Sequence, residues 1–157
     1  MRYIFLLLIL PLLVSATGCT SYGKSIDVAS AAGPGEVVVY IYRPVTQWRP
    51  KTREYPEVLV DGNSVGLLKY KHYIQLSLPP GEHKLKLTGL TEASRWSFHD
   101  SEHTLRLVPG EAAYYRLQVT FDENSNNIGN PGMDYNVYFG PVRAEEAVYE
   151  MRDTAPI

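Results

Sequence analysis

The feature that most constrains this chain is a series of short apolar runs, most of them alternating with polar residues and separated by Pro-Gly and Asp-Gly turns. Val37 to Tyr42 (VVVYIY) is apolar on both faces, rich in β-branched and aromatic residues, and stops at Arg43-Pro44. A strand wet on neither side belongs in the middle of a sheet. Val58 to Val60 runs into Asp61-Gly62-Asn63, a tight-turn signal, and Val65 to Tyr70 returns as a second strand. Ile74, Leu76 and Leu78 then alternate with Tyr73, Gln75 and Ser77, and the same period holds at Leu85 and Leu87, at Leu105 and Leu107, and from Tyr114 to Phe121. Period two means one buried face and one wet face. Tyr135 to Val142 regains strand character after a polar stretch, Asp122 to Asp134. The pattern predicts an all-β fold, a small β-sandwich of six to eight strands.

Two turns share a motif. Leu76-x-Leu78-x-Pro80-Gly81-Glu82 aligns with Leu105-x-Leu107-x-Pro109-Gly110-Glu111. Pro presets φ and the Gly after it accepts a positive φ, so a type II turn suits both. The reading adopted is one hairpin solution used twice; an internal duplication is the alternative. One helix is expected, Arg143 to Arg152, where Ala144, Ala147, Val148 and Met151 form an i, i+3, i+4, i+7 stripe. A helix that short must dock on a sheet to form.

The first residues read as an address. Ile4 to Val14 is an apolar run broken by Pro11, preceded by Arg2 and followed by Ser15-Ala16-Thr17-Gly18-Cys19. The run is too short to span a bilayer and fits the apolar region of a secretory signal. Gly18-Cys19 resembles the bacterial lipoprotein signal, although Ala16 departs from the Leu usual there. That resemblance implies cleavage before Cys19 and lipidation of Cys19, giving attachment to the membrane. Thr20, in place of the Asp common in inner-membrane lipoproteins, points to the outer membrane, with the domain facing the periplasm. An ordinary signal that leaves Cys19 as a free thiol is the alternative. The expected organisation is a leader over 1–18, a flexible tether over 19–35, a sandwich domain over 36–152 and a disordered tail over 153–157.

Composition removes several classes. The chain has 157 residues, enough for one domain with a real core. Its net charge of −2 offers no footprint for nucleic acid, and losing Arg2 with the leader makes the remainder more negative. A lone cysteine builds neither an internal disulfide nor a thiolate metal cluster.

Val39-Tyr40-Ile41-Tyr42-Arg43-Pro44, Val58-Leu59-Val60-Asp61-Gly62 with Val65-Gly66, Leu78-Pro79-Pro80-Gly81-Glu82-His83, and Pro109-Gly110-Glu111 before Tyr114-Tyr115 together resemble the bacterial family called domain of unknown function 2846. Its members are mostly small, secreted and often lipid-anchored. The middle pieces also resemble the PEGA β-module. The resemblance covers Val37 to Phe121 and implies an immunoglobulin-like or PEGA-like sandwich. It carries over no activity and no catalytic residue.

The remaining motifs each have a plainer reading. His99-x-x-x-His103 has zinc spacing only on a helix, and this stretch reads as loop and strand. Asp122-x-Asn124-x-Asn126 opens like a calcium loop, but Asn127 and Met133 stand where the turn Gly and the bidentate Glu are needed. No metal and no cofactor are therefore expected. A hydrolase built on His99 or His103 with a nearby serine is the weakest reading. The segment Arg43 to Pro56 is the most informative: Arg43, Trp48, Arg49, Lys51, Arg53 and Tyr55 make a basic, aromatic loop suited to a protein or glycan contact. The same loop also reads as a structural cap in which Trp48 covers an open sheet edge. Twelve tyrosines against four phenylalanines allow a docking platform from Tyr40, Tyr42, Tyr114, Tyr135 and Tyr138, or simply half-buried sandwich residues. The expected function is a non-enzymatic, lipid-anchored accessory module of the envelope that binds another envelope protein. Glycan or peptidoglycan binding is the alternative.

Overall fold

The computed structural model describes residues 35–47, 50–121 and 134–157. Nine strands lie in two sheets among these residues: β1 (Val37–Tyr42), β2 (Glu57–Val60), β3 (Asn63–Leu67), β4 (His72–Leu78), β5 (Gly81–Thr88), β6 (Ser101–Leu107), β7 (Ala112–Phe121), β8 (Tyr135–Pro141) and β9 (Ala155–Pro156). One sheet has the order β8-β7-β1-β4-β9, the other β3-β2-β5-β6. The expected all-β sandwich is the fold. The expected helix is α1 (Ala144–Glu150), continued by a 3-10 turn over Met151–Asp153.

β1 is the middle strand of five and buried along its whole length, which is why its sequence shows no polar face. Val37, Val39 and Ile41 meet Val58, Leu85, Leu87, Leu105 and Leu117 between the sheets. Each such side chain contributes about 1.5–3 kcal/mol through burial. Val38, Tyr40 and Tyr42 point the other way and pack with Tyr114 beneath Ala147 and Met151. Tyr40 and Tyr114 stack with centroids 5.2 Å apart. Three of the five platform tyrosines are thus covered by the helix; Tyr135 is half-buried and Tyr138 exposed.

Two details correct the sequence reading. The paired Pro-Gly motifs do not close hairpins. β4 pairs with β1 while β5 pairs with β2 and β6, so Pro79-Pro80 carries the chain from one sheet to the other. β6 to β7 crosses back in the same manner. Turn chemistry sets the local backbone, but the partner of the next strand is a non-local matter. The tail is also ordered: the Ala155 amide donates to the Lys71 carbonyl and the Ile157 amide to that of Tyr73, so β9 adds a short parallel edge beside β4. Cys19 and the whole of 1–34 lie outside the described residues.

The sandwich has two unlike ends. At one end the chain enters at Glu36, and the connections are the Asp61-Gly62 turn, Pro79-Pro80, Val108 to Glu111 and Val142-Arg143. At the other end are the long connections 43–56 and 89–100, the short 68–71, and the last residue of β7 with the first of β8. We call these the turn end and the loop end.

Candidate functional site

The loop end is organised by one side chain. Arg43 follows directly on β1, and its backbone amide donates to the His72 carbonyl while its own carbonyl accepts from Lys71. That places the side chain under the loop it begins, where it is 2% exposed. Its guanidinium donates to the carbonyls of Glu54 (2.5 Å), Lys51 (2.8 Å) and Pro50 (3.4 Å). The rings of Tyr70 and Trp96 lie beside it, each centroid 5.7 Å away. Burial pulls its pKa down to about 10, so it stays charged at neutral pH. Arg43 was expected as a surface contact. It is an internal strut, because a planar five-donor group is what three converging carbonyls require.

Around the strut, other bonds tie three loops together. Tyr55 and Arg95 exchange backbone hydrogen bonds, tying 43–56 to 89–100. The Leu68 amide donates to the Pro56 carbonyl, tying in 68–71. Glu54 accepts from Lys51 Nζ at 2.6 Å and from the Ser97 hydroxyl at 2.5 Å. Partial burial pushes the Glu54 carboxyl up, but those hydrogen bonds outweigh it and hold it below the ordinary carboxylate range. The same bond holds Lys51 above its ordinary value. Lys51 also sits over the rings of Tyr135 (4.9 Å) and Phe98 (5.7 Å). It is thereby committed to the protein rather than to solvent.

Of the other expected contacts, Arg53 is exposed and Tyr55 half-buried beside Arg95, whereas Trp48 and Arg49 lie outside the described residues. A cleft of about 310 Å³ opens where Gln47 and Pro50 approach Gln118, Thr120 and Glu150. The sequence reading missed Lys69, Tyr70, Lys71 and Arg95. The strand expected over Val65 to Tyr70 stops at Leu67, leaving Lys69 and Tyr70 in the connection, and Lys71 turns the chain with φ 63°. The basic-aromatic-basic order Lys69-Tyr70-Lys71 was the available signal.

His103 bridges the two sheets. His103 Nε2 lies 2.7 Å from the Phe139 carbonyl, which only accepts, so Nε2 carries the proton. That bond joins β6 to β8 along the open side of the sandwich. His99 lies on the 89–100 connection, beside Trp96 and Phe98. Among the described residues no three His, Cys, Asp or Glu side chains converge as a metal site.

A family model described as Protein of unknown function (DUF2846) matches residues 34–132, more than half of the chain. No curated protein and no solved structure matches.

Proposed function

We propose that this chain, which belongs to the DUF2846 family, is a lipid-anchored accessory module of the cell envelope that docks another envelope protein through its loop end. In this reading Cys19 is acylated after removal of 1–18, and the domain hangs by the tether from the outer membrane into the periplasm. It performs no chemistry of its own.

One observation carries the proposal. The chain enters the sandwich at the turn end, while the loops interlocked by Arg43 gather at the opposite end. A tether fastened at one end leaves the other end outward. Loops held on a rigid scaffold are the usual carriers of recognition, and Tyr and Arg are the residues that dominate protein contacts.

Two measurements test it. Labelling with a tagged fatty acid should mark the wild type and spare Cys19→Ser, which should leave the membrane fraction. A photo-crosslinking residue placed at Thr91, on a long loop, should yield a protein adduct in intact cells, while the same residue at Glu111, on the turn end, should not. Adducts from Glu111 alone, or from neither position, would overturn the docking role. Cell-wall fragments at Thr91 would replace it with glycan binding through the half-buried rings of Tyr55 and Tyr70.

A further inference from the structure

The cations of this domain are unevenly matched. Lys51 pairs with Glu54, Lys86 with Asp100 and Glu102, Arg106 with Glu82, and Arg116 with Glu146 and Glu150. Arg53, Lys69, Lys71 and Arg95 are exposed and have no ion pair among the described residues. All four lie on the three loops that Arg43 and the Tyr55–Arg95 and Leu68–Pro56 bonds lock together. Glu92 is the one unpaired acid that those loops carry among the described residues. On a net acidic protein these three loops thus carry an excess of unpaired positive charge.

We propose that these loops bind an acidic protein surface, with Arg53, Lys69, Lys71 and Arg95 facing its carboxylates. The inference rests on the docking role proposed above and names the chemistry of the partner. Leu90 favours a protein over a bare polyanion: it stands on the same loops, 87% exposed. An exposed apolar side chain on the same set of loops as the cations and the half-buried Tyr55 and Tyr70 suits a protein interface, which combines apolar and charged contacts. Unpaired exposed charges speed association and select partners by sign, and their effect weakens with salt.

The test uses the full-length lipidated protein in its own cells, with a photo-crosslinking residue at position 95. The expected result is one protein adduct whose crosslinked peptide holds more Asp and Glu than Lys and Arg. Its yield should fall about tenfold in a K69E/K71E variant and stay unchanged in K84E/R143E, since Lys84 and Arg143 are exposed, unpaired and off these loops. All the substituted residues are exposed, and unchanged thermal unfolding checks that each variant folds. An adduct that survives K69E/K71E, or one whose peptide is neutral or basic, overturns the inference and leaves the docking role standing. Lipid or glycan adducts, or none at position 95 or at Thr91, overturn both.

Discussion

The two ends of the sandwich are built by different means. At the turn end, each connection is short and specified by its own residues. Asp61 and Gly62 both adopt positive φ, 50° and 81°, as a two-residue hairpin of the favoured twist requires. Pro109 presets the turn in which the Glu111 amide donates to the Val108 carbonyl, and Gly110 takes φ 84°. At the loop end, nothing local dictates the path. The long loops are shaped by the Arg43 guanidinium and by a two-residue bridge between loops. The difference teaches where variation can accumulate: self-specified turns keep the frame, and loops hung on one strut can change sequence between struts.

Removing the strut is the largest expected effect. Arg43→Ala strips the guanidinium donor from three carbonyls of the loop it begins and opens a void beside Tyr70 and Trp96. It should cost about 3 kcal/mol or more in urea unfolding. The amides of Tyr55 and Arg95 should lose exchange protection before that of Lys84, at the turn end. Arg43→Lys keeps the charge but not the planar fork, and should recover only part of the loss. Equal loss of protection at both ends would mean that the strut serves the whole core rather than the loops.

A smaller effect is expected where α1 meets the loop end. Glu150 accepts from the Tyr42 hydroxyl and from Arg116 Nη1, both at 2.6 Å, and Arg116 also reaches Glu146. Burial, followed by the bond to Glu150, raises the Tyr42 hydroxyl well above its ordinary range, so it remains a donor at any physiological pH. Glu150→Gln should cost about 1–2 kcal/mol, discounted for the partial exposure of these groups. Gly62→Ala and Gly110→Ala come next, at about 1 kcal/mol each. An added Cβ meets nothing within 4 Å at either site, so only backbone strain is felt. Urea midpoints for the three variants rank them; a glycine variant costing more than Glu150→Gln would reverse the contrast between ends.

The same contrast explains what could be read from the sequence. β1 was legible because burial on both faces leaves an unbroken apolar run, and the Asp61-Gly62 turn because its conformation follows from two residues. Ala147 on α1 and Met151 on the 3-10 turn after it were legible as a docking stripe, and both are buried, whereas Ala144 and Val148 remain exposed. Arg43 was not legible as a strut. Its burial depends on carbonyls up to eleven residues away and on Tyr70 and Trp96 from other loops. The crossing of Pro79-Pro80 between sheets was hidden for a related reason, since a strand's alternation is the same whichever sheet it joins. Lys69, Lys71 and Arg95 joined the candidate surface only through tertiary contacts.

The smallest effect, and the sharpest for the comparison, is a response to pH confined to the turn end. His83 Nδ1 lies 2.7 Å from Asp61 Oδ2, and Nε2 lies 3.0 Å from the Pro79 carbonyl. Both partners only accept, so the geometry fits an imidazolium donating from both nitrogens. The bond to Asp61 raises the His83 pKa above its ordinary 6.5. A folded value above the unfolded one means that the stabilisation is fully present below about pH 6.5 and is lost as pH rises through the raised value. Asp61, held low first by His83, loses its own contribution only in acid, as pH falls through its depressed value. At the loop end, Lys51 is held above its ordinary value and Glu54 below, so that pair is indifferent to the same mildly alkaline step. Raising the pH from about 6 to about 8.5 should therefore speed exchange of the Lys84 amide, which donates to Asp61 Oδ1, beyond the intrinsic rate change. The Tyr55 amide should follow the intrinsic rate alone, and His83→Gln should make the two ends alike. If both amides quicken together in the wild type, the ends are one cooperative unit, and their separate construction has no separate stability.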